Sequence, residues 1–370
     1  MRIVYVLTSL GMGGAEKQAL AVAERMEKRG HSVALLVLKP RVPEEWPTMV
    51  ETAYLGMRKT ALSVLTDLMR GRRFLRNFRP DLVHSHSFHA NIFARLLRPL
   101  MPHLVVVSTV HNVYEGGWPR MLTYRLTDSL SRCTVAVSQA AANRFVRLKA
   151  VAERRCLVLA NGVDTAEFRP SARRRTSSRS AMGVGQASGH QGFIWLAAGR
   201  IAPAKDYPNL LRAFANVRAH HSNALLWIAG GSRGAELTQL KELSAQLNMG
   251  DSVRWLGLRH DMPALLDAAD GFVSASAWEG MPLAVAEAMA MEKPVVATDV
   301  GGVRELVGDV GVVVLARDSE ALAEAMKATM QQSGDERERI GRSARERIEA
   351  HFSVDASTDA WEALYRELLP

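Results

Sequence analysis

Short apolar runs alternate with longer amphipathic stretches along this chain, and the alternation occurs twice, on either side of a single break. In the first half Ile3–Leu7, Ser32–Leu38, Leu82–His84, Leu104–Ser108, Cys133–Val137 and Leu157–Leu159 are expected to be strands. They are rich in Val and Leu, and several lack polar alternation, as strands buried on both faces do. Glu16–Arg29, Ala61–Phe78, Ala90–Leu97, Pro119–Leu130 and Ala140–Val151 are expected to be helices between them. Strand and helix in turn predict a parallel sheet covered on both sides. A stretch from Arg169 to Gly192 then loses periodicity and reads as a connection or loop. Beyond it, strands are expected at Phe193–Ala198, Ala224–Ala229, Val253–Leu256, Gly271–Ser274, Pro294–Thr298 and Gly311–Leu315. Helices are expected at Pro208–Arg218, Gly234–Leu247, Met262–Ala268, Leu283–Met291 and Ser319–Gln332.

The predicted fold class is therefore α/β, with two Rossmann-like doubly wound domains, and 370 residues suffice for two cores. The expected division is 1–168, a linker or loop over 169–192, a second domain over 193–350, and a final helix within 351–370. In such sheets ligands sit at the carboxyl ends of strands, so the facing edges of two domains are the expected cleft.

Composition narrows the class further. Hydrophobic residues are 48% and charged residues 23%, and no apolar run reaches the ~18–20 residues that cross a bilayer. The opening Met1–Leu7 reads as a first strand, not a signal peptide. Cys133 and Cys156 lie in no metal-ligand spacing and read as free thiols of a reducing cytoplasm. The net charge is +9 and unevenly placed: residues 1–168 hold 24 basic and 13 acidic residues, residues 169–370 hold 23 and 25. Such a split suits an anionic partner for the first half: lipid headgroups, a polyphosphate-bearing acceptor or nucleic acid. A generally Arg-rich proteome is the bland alternative.

Three segments can carry chemistry. Ser9-Leu10-Gly11-Met12-Gly13-Gly14-Ala15-Glu16 runs from the first strand into a helix. Its glycines allow close backbone approach, and helix N–H groups favour an anion; a tight turn without ligand is the alternative. It is not the dinucleotide fingerprint, because Glu16 stands where the third glycine belongs, and the chain has no P-loop pattern. Gly199-Arg200-Ile201-Ala202-Pro203-Ala204-Lys205 places two cations past a strand end, able to converge on one phosphate or to be solvated separately. In Ser276-Ala277-Trp278-Glu279-Gly280-Met281-Pro282-Leu283-Ala284-Val285-Ala286-Glu287, Pro282 suits a helix start and Glu287 lies a turn inside on apolar ground. A carboxylate there needs donors, which sugar hydroxyls supply, unless it is a dipole-stabilised or half-exposed glutamate.

Glu279 and Glu287 stand in the E-x7-E arrangement, and the chain resembles the retaining glycosyltransferases of family 4, which have the GT-B fold. The Gly11–Gly14 turn, His111-Asn112, Asn161-Gly162-Val163-Asp164, Gly199-Arg200 with Lys205, and Thr298-Asp299-Val300-Gly301-Gly302 match in family order. The resemblance implies the GT-B architecture, its last helix crossing back to the first domain. It implies that Arg200 and Lys205 hold the donor diphosphate, Glu287 binds the ribose, Glu279 faces the transferred sugar and His111 contacts that sugar. Backbone N–H groups of Gly280, Met281 and Leu283 and the turn at Gly13 and Gly14 would complete the cradle, with base recognition near Arg259.

Two cations and helix N-termini stabilise a leaving diphosphate without a metal. The sequence holds no D-x-D pair, so no metal and no separate cofactor are expected, the nucleotide sugar being a substrate. Retention can run by a front-face route or through Glu279 as nucleophile, and the sequence leaves both open. The expected partners are a nucleotide-sugar donor, a glycan or lipid-linked acceptor and an anionic membrane surface under the basic N-terminal domain, with no nucleic acid. The expected setting is cytoplasmic, at the inner membrane face, in surface-polysaccharide or lipopolysaccharide synthesis.

Other residues invite competing readings. His84, His86 and His89 have the look of a metal cluster, but with no acidic or Cys ligand near they read as strand-end polarity or acceptor-side lining. Arg72, Arg73, Arg76 and Arg79, with Phe74, Leu75 and Phe78, form a basic amphipathic helix suited to anionic lipid or simply to water. Ala277-Trp278 before the first glutamate and the long Ser171–Gly192 insert depart from the family pattern. A nucleotide-sugar epimerase of the same fold and a basic nucleic-acid-binding protein are the alternatives.

Overall fold

The computed structural model describes residues 1–42, 45–57, 61–184, 192–232 and 234–369. They form two compact units, Met1–Gly162 with Val354–Pro370, and Val163–Ser353.

In the first unit β1 (Arg2–Leu7), β2 (Ser32–Val37), β3 (Glu51–Tyr54), β4 (Leu82–His86), β5 (Val105–Val110), β6 (Cys133–Ala136) and β7 (Cys156–Val158) pair in the order β3-β2-β1-β4-β5-β6-β7. All are parallel. The helices are α1 (Gly14–Lys28), α2 (Ala61–Phe78), α3 (Phe88–Leu97), α4 (Trp118–Thr127) and α5 (Gln139–Arg147). Alternate residues of β1 divide between two cores. Ile3, Tyr5 and Leu7 pack with α1, while Val4 and Val6 pack with α2 and α3. On β5, Val106 meets α3 and Val110 meets α4 and α5. Helices α2 to α5 therefore share one face of the sheet and α1 covers the other. Strand β3 was not anticipated: it is a four-residue edge strand, only half-buried, with Glu51 and Thr52 in place of an apolar run.

In the second unit β8 (Ile194–Ala198), β9 (Leu225–Ala229), β10 (Val253–Gly257), β11 (Gly271–Ser274), β12 (Val295–Thr298) and β13 (Val312–Val314) form a parallel sheet in the order β10-β9-β8-β11-β12-β13. The helices are α6 (Ala172–Ala181), α7 (Tyr207–His220), α8 (Glu236–Gln246), α9 (Met262–Ala268), α10 (Leu283–Ala290), α11 (Val303–Val307), α12 (Ser319–Gln331) and α13 (Gly334–His351).

The stretch 169–192, expected to be a connection or loop, instead contains α6, capped by Ser171, whose side chain accepts from Arg174 N–H; its residues 185–191 lie outside the described residues. Helix α6 buries no residue. Ion pairs to α9 and its end hold it, Arg174 with Asp267 and Arg175 with Asp270, and Arg179 donates to the Ala268 carbonyl at 2.9 Å. Pairing of this kind leaves no apolar period to detect. Helix α13 is not expected from the sequence either, because it buries only Gly341, Ala344 and Ile348 in an otherwise charged stretch, although Ser333 and Glu336 form a capping box at its start.

The final helix α14 (Val354–Leu368) belongs to the first unit. It adds Trp361, Leu364 and Tyr365 to the α1 face of that sheet. Arg25 of α1 and Arg29, which caps its end, reach Asp355 and Glu362 at 2.7 Å each.

Candidate active site

The strand order of the second sheet turns back between β8 and β11: from β8 the chain steps outward to β9 and β10, then returns to β11 and steps outward the other way. At such a switch point the two adjoining loops leave the carboxyl edge in opposite directions and open a crevice. The loop after β8 holds Arg200 and Lys205, and the loop after β11 holds Ser276, Glu279 and Gly280. Two distant segments of sequence thus meet at one edge. The Ala277 N–H donates to the Ala204 carbonyl at 2.8 Å and ties the two loops together.

Lys205 Nζ lies 2.6 Å from Glu279 Oε1. The Ser276 hydroxyl donates to the same oxygen at 2.7 Å. No other hydrogen-bond partner of this carboxylate is found among the described residues. Ser276 is itself fixed, because Thr298 Oγ1 at the end of β12 donates to the Ser276 carbonyl at 2.6 Å. The Tyr207 hydroxyl donates to the Gly199 carbonyl at 2.7 Å, and burial with the nearby Glu279 charge pushes its ionisation upward. A neutral phenol therefore holds the turn from which Lys205 springs.

Two glycines make this packing feasible. A Cβ on Gly230 would stand 1.9 Å from the Gly199 carbonyl oxygen. Gly301 has φ +56°, and its Cβ would stand 2.2 Å from the Glu279 carbonyl oxygen. Next to it, Gly302 N–H donates to the Gly280 carbonyl at 2.6 Å. The Thr298–Gly302 segment thus forms the floor under the Glu279 turn.

The other expected donor residues of this unit follow the carboxyl ends of strands of the same sheet. Arg200 is exposed and has no ion-pair partner among the described residues. Gly280 and Met281 are buried. Pro282 occupies the cap position of α10, and no side chain caps that end, so Leu283 begins a helix whose leading N–H groups are available to an anion. Glu287 is buried, at 7% exposure, one turn inside α10. Arg259 follows β10, the outermost strand on that side, and forms a fork with Asp261 at 2.8 and 2.6 Å. That hydrogen bond raises the arginine and lowers the carboxyl.

The first unit presents the remaining expected residues after β1 and β5, the two strands that flank β4. Gly13 caps α1, but the first-turn Glu16 folds its carboxylate back over it: a Cβ on Gly13 would stand 2.3 Å from Glu16 Oε2. A carboxylate of the chain thus already lies by the Gly13–Gly14 helix end where an anion was expected. His111 follows β5, and its Nε2 lies 2.9 Å from Nδ1 of His86 at the end of β4. Burial pushes His111 down to about 4 and His86 well below its ordinary range, so both rings are neutral near pH 7. Glu115 orients the loop: it accepts from the His111 N–H at 2.9 Å and from the Tyr124 hydroxyl at 2.6 Å. His84 bonds Tyr365 and Thr109, at 2.6 and 2.7 Å. Among the described residues no group of three or more His, Cys, Asp or Glu could hold a metal ion.

Ser276, Thr298 and Gly301 stand within the quoted motifs with no task evident from the sequence, and Tyr207 and Glu115 lie outside those motifs. A serine three residues before a turn glutamate is the one local signal that was available.

Comparison with known proteins gives the family and the fold. The profile of the glycosyl transferases group 1 matches residues 185–347, and that of Glycosyltransferase Family 4 matches residues 12–167. The D-inositol 3-phosphate glycosyltransferase of Saccharomonospora viridis is 30% identical over 311 residues, 78% of this chain and 70% of that protein. The chain belongs to glycosyltransferase family 4. Lipopolysaccharide core biosynthesis mannosyltransferase LpsB of Rhizobium meliloti is 29% identical over 222 residues, 57% of this chain, and the match spans only 61% of that relative's length. In fold, this family 4 member is similar to Anabaena HepE, solved in complex with UDP-glucose, with a TM-score of 0.83 at 20% identity over 98% of this chain and 99% of that one. Two parallel Rossmann-like sheets and the returning C-terminal helix are the GT-B architecture. No described helix is long and apolar enough to cross a membrane.

Proposed function

We propose that this protein is a retaining, metal-independent glycosyltransferase that moves a hexose from a UDP- or GDP-linked donor to a glycan or lipid-linked acceptor. The acceptor is taken to belong to surface-polysaccharide or lipopolysaccharide synthesis on the cytoplasmic side of the cell membrane. The Lys205–Glu279 pair at the sheet switch point, with Ser276 on the same oxygen, is the observation that carries this reading.

In this reading the donor diphosphate lies over the start of α10. Arg200 and the two remaining N–H bonds of Lys205 take its oxygens, and the leading N–H groups of α10 face it. Glu287 accepts from the ribose hydroxyls, and Arg259 lies toward the base. As the bond between the anomeric carbon and phosphate oxygen breaks, negative charge grows on the diphosphate and positive charge on the sugar ring. The cations stabilise the first. The carboxylate of Glu279 stabilises the second. The acceptor hydroxyl bonds to the anomeric carbon from the face the diphosphate leaves, and its proton passes to the departing phosphate oxygen. No ion is needed to carry leaving-group charge that Arg200 and Lys205 already meet, in keeping with a sequence that has no D-x-D.

The test is a panel of UDP- and GDP-sugars with the purified chain, following free nucleoside diphosphate and isomerised sugar separately. Release of nucleoside diphosphate supports transfer or its hydrolytic side reaction. Isomerised nucleotide sugar would point to an epimerase, and absence of both binding and turnover across the panel would overturn the reading. K205A should retain its thermal unfolding temperature and lose roughly 100- to 1000-fold in turnover, the usual cost of removing one preorganised charge donor.

A further inference from the structure

The two faces of the first sheet differ sharply in charge. Helices α2 to α5, which share one face, carry nine basic residues, of which Arg95 is buried, and a single acid, Asp67. Asp67 is buried and paired with Arg70. Helices α1 and α14 on the opposite face, with Arg29 at the end of α1, carry five basic and seven acidic residues. The surplus positive charge of the first half is therefore concentrated on one helical layer.

That layer also exposes large apolar side chains. Leu65 is 63% exposed and Met69 40% on α2; Trp118 is 73% exposed and Leu126 71% on α4. On α2, Leu65, Met69, Arg73 and Arg76 follow one another at steps of four, four and three, so they line one stripe of the helix. Arg73 and Arg76 are exposed, as is Arg125 beside Leu126, and none of the three has an ion-pair partner among the described residues. On α4, Trp118 and Leu126 are two turns apart on the same side.

We propose that the α2–α5 layer docks on an anionic lipid bilayer, with Leu65, Met69, Trp118 and Leu126 entering the headgroup region and the arginines meeting lipid phosphates. An amphipathic helix with cations beside exposed aliphatic side chains lies in the plane of a bilayer surface. Tryptophan is favoured at that boundary. Exposed leucine and methionine on the cationic stripe distinguish this surface from a nucleic-acid groove, where phosphate contacts are made by cations and polar groups. The acidic opposite face would be repelled by the same leaflet, so docking has one orientation. This inference rests on the first unit alone and is independent of the transfer reaction.

Vesicle co-sedimentation of the full chain tests it, with phosphatidylcholine alone and with roughly one third phosphatidylglycerol, a charge density at which each nearby cation adds about five-fold in affinity. Wild type should bind the anionic vesicles and not the neutral ones. R73E/R76E should lose at least about 25-fold, two such factors. L65S/M69S and W118S/L126S should bind at low salt and release at a salt concentration that wild type tolerates, because only the apolar contribution resists screening. All these positions are exposed, and unchanged thermal unfolding will show that each variant is folded. Equal binding to both vesicle types, no vesicle binding, wild-type binding by R73E/R76E, or displacement from vesicles by a DNA duplex at lower concentration than by anionic lipid would each overturn the proposal. A chain that binds vesicles yet turns over no nucleotide sugar would leave this inference standing and remove the functional one.

Discussion

Lys205 and Glu279 lie 74 positions apart in sequence and meet at 2.6 Å across the switch point of the second sheet. The proposed phosphate cation and the proposed sugar-facing carboxylate thus neutralise one another before any donor arrives. Binding a diphosphate need not break the pair, since an ammonium has three N–H bonds and Glu279 uses one. Replacing the carboxylate by an amide should therefore separate binding from catalysis. E279Q removes the counter-charge and should bind UDP roughly 5- to 10-fold more tightly, an increment of about 1 kcal/mol for one charge near another in a partly exposed site. Its turnover should fall by at least ~100-fold. Isothermal titration and steady-state rates check both. Weaker UDP binding in E279Q would show that Glu279 organises the phosphate site instead of opposing it.

Ser276 acts on substrate only through Glu279, and this makes it a positioning residue. S276A should slow turnover about tenfold, the usual scale for a slightly misplaced catalytic group, and leave UDP affinity within about two-fold of wild type. In the E279Q background the same substitution should cost almost nothing further, as a double-mutant cycle for directly coupled residues requires. Additive losses would mean that Ser276 works by another route. S276T, which keeps the hydroxyl, should restore most of the rate.

Gly301 has a left-handed backbone directly beneath the Glu279 carbonyl. G301A should destabilise the chain by about 1–3 kcal/mol through strain and contact with that carbonyl. It should also weaken UDP binding, because the Glu279–Gly280 turn has to move to accommodate the methyl group. Urea unfolding and UDP titration measure the two effects. A fully stable G301A that binds UDP normally would refute this account of the floor.

The histidines predict a pH dependence with a definite sign. His111 is pushed down to about 4 from an ordinary 6.5 by burial, so between those values the unfolded chain binds a proton that the folded chain refuses. The associated stability is complete above about pH 6.5 and is lost as pH falls toward 4, by roughly 3 kcal/mol if His111 titrates alone. His86 and His84 are lowered in the same direction, burial again being the main cause. Urea midpoints for wild type should therefore drop steeply from pH 6.5 to 4.5, and H111N should show a shallower slope. Identical slopes would place the acid sensitivity elsewhere.

Much of the architecture is legible in the sequence. Two series of Val- and Leu-rich runs separated by amphipathic stretches correspond to strands and helices within a few residues of their observed ends. Elements without an apolar period escaped notice: β3 is a half-buried edge, and α6 and α13 are polar helices held by arginine pairs and a capping box. The E-x7-E spacing marked α10 and its preceding turn, because Pro282 and the run to Met291 are local signals.

What the sequence by itself determined is the alternation, the identity of the chemically capable residues and the charge imbalance of its first half. These follow from side-chain chemistry and from periods of two and 3.6, which are local properties of a chain. Tertiary structure alone decided which of those residues meet. Strand order brings the loop after β8 beside the loop after β11, so Ser276 and Lys205 share one oxygen of Glu279. The same kind of ordering collects nine of the first unit's cations on one side of a sheet. Strand order and facing are set by how long-range pairing buries the most apolar surface, and no window of neighbouring residues contains that information.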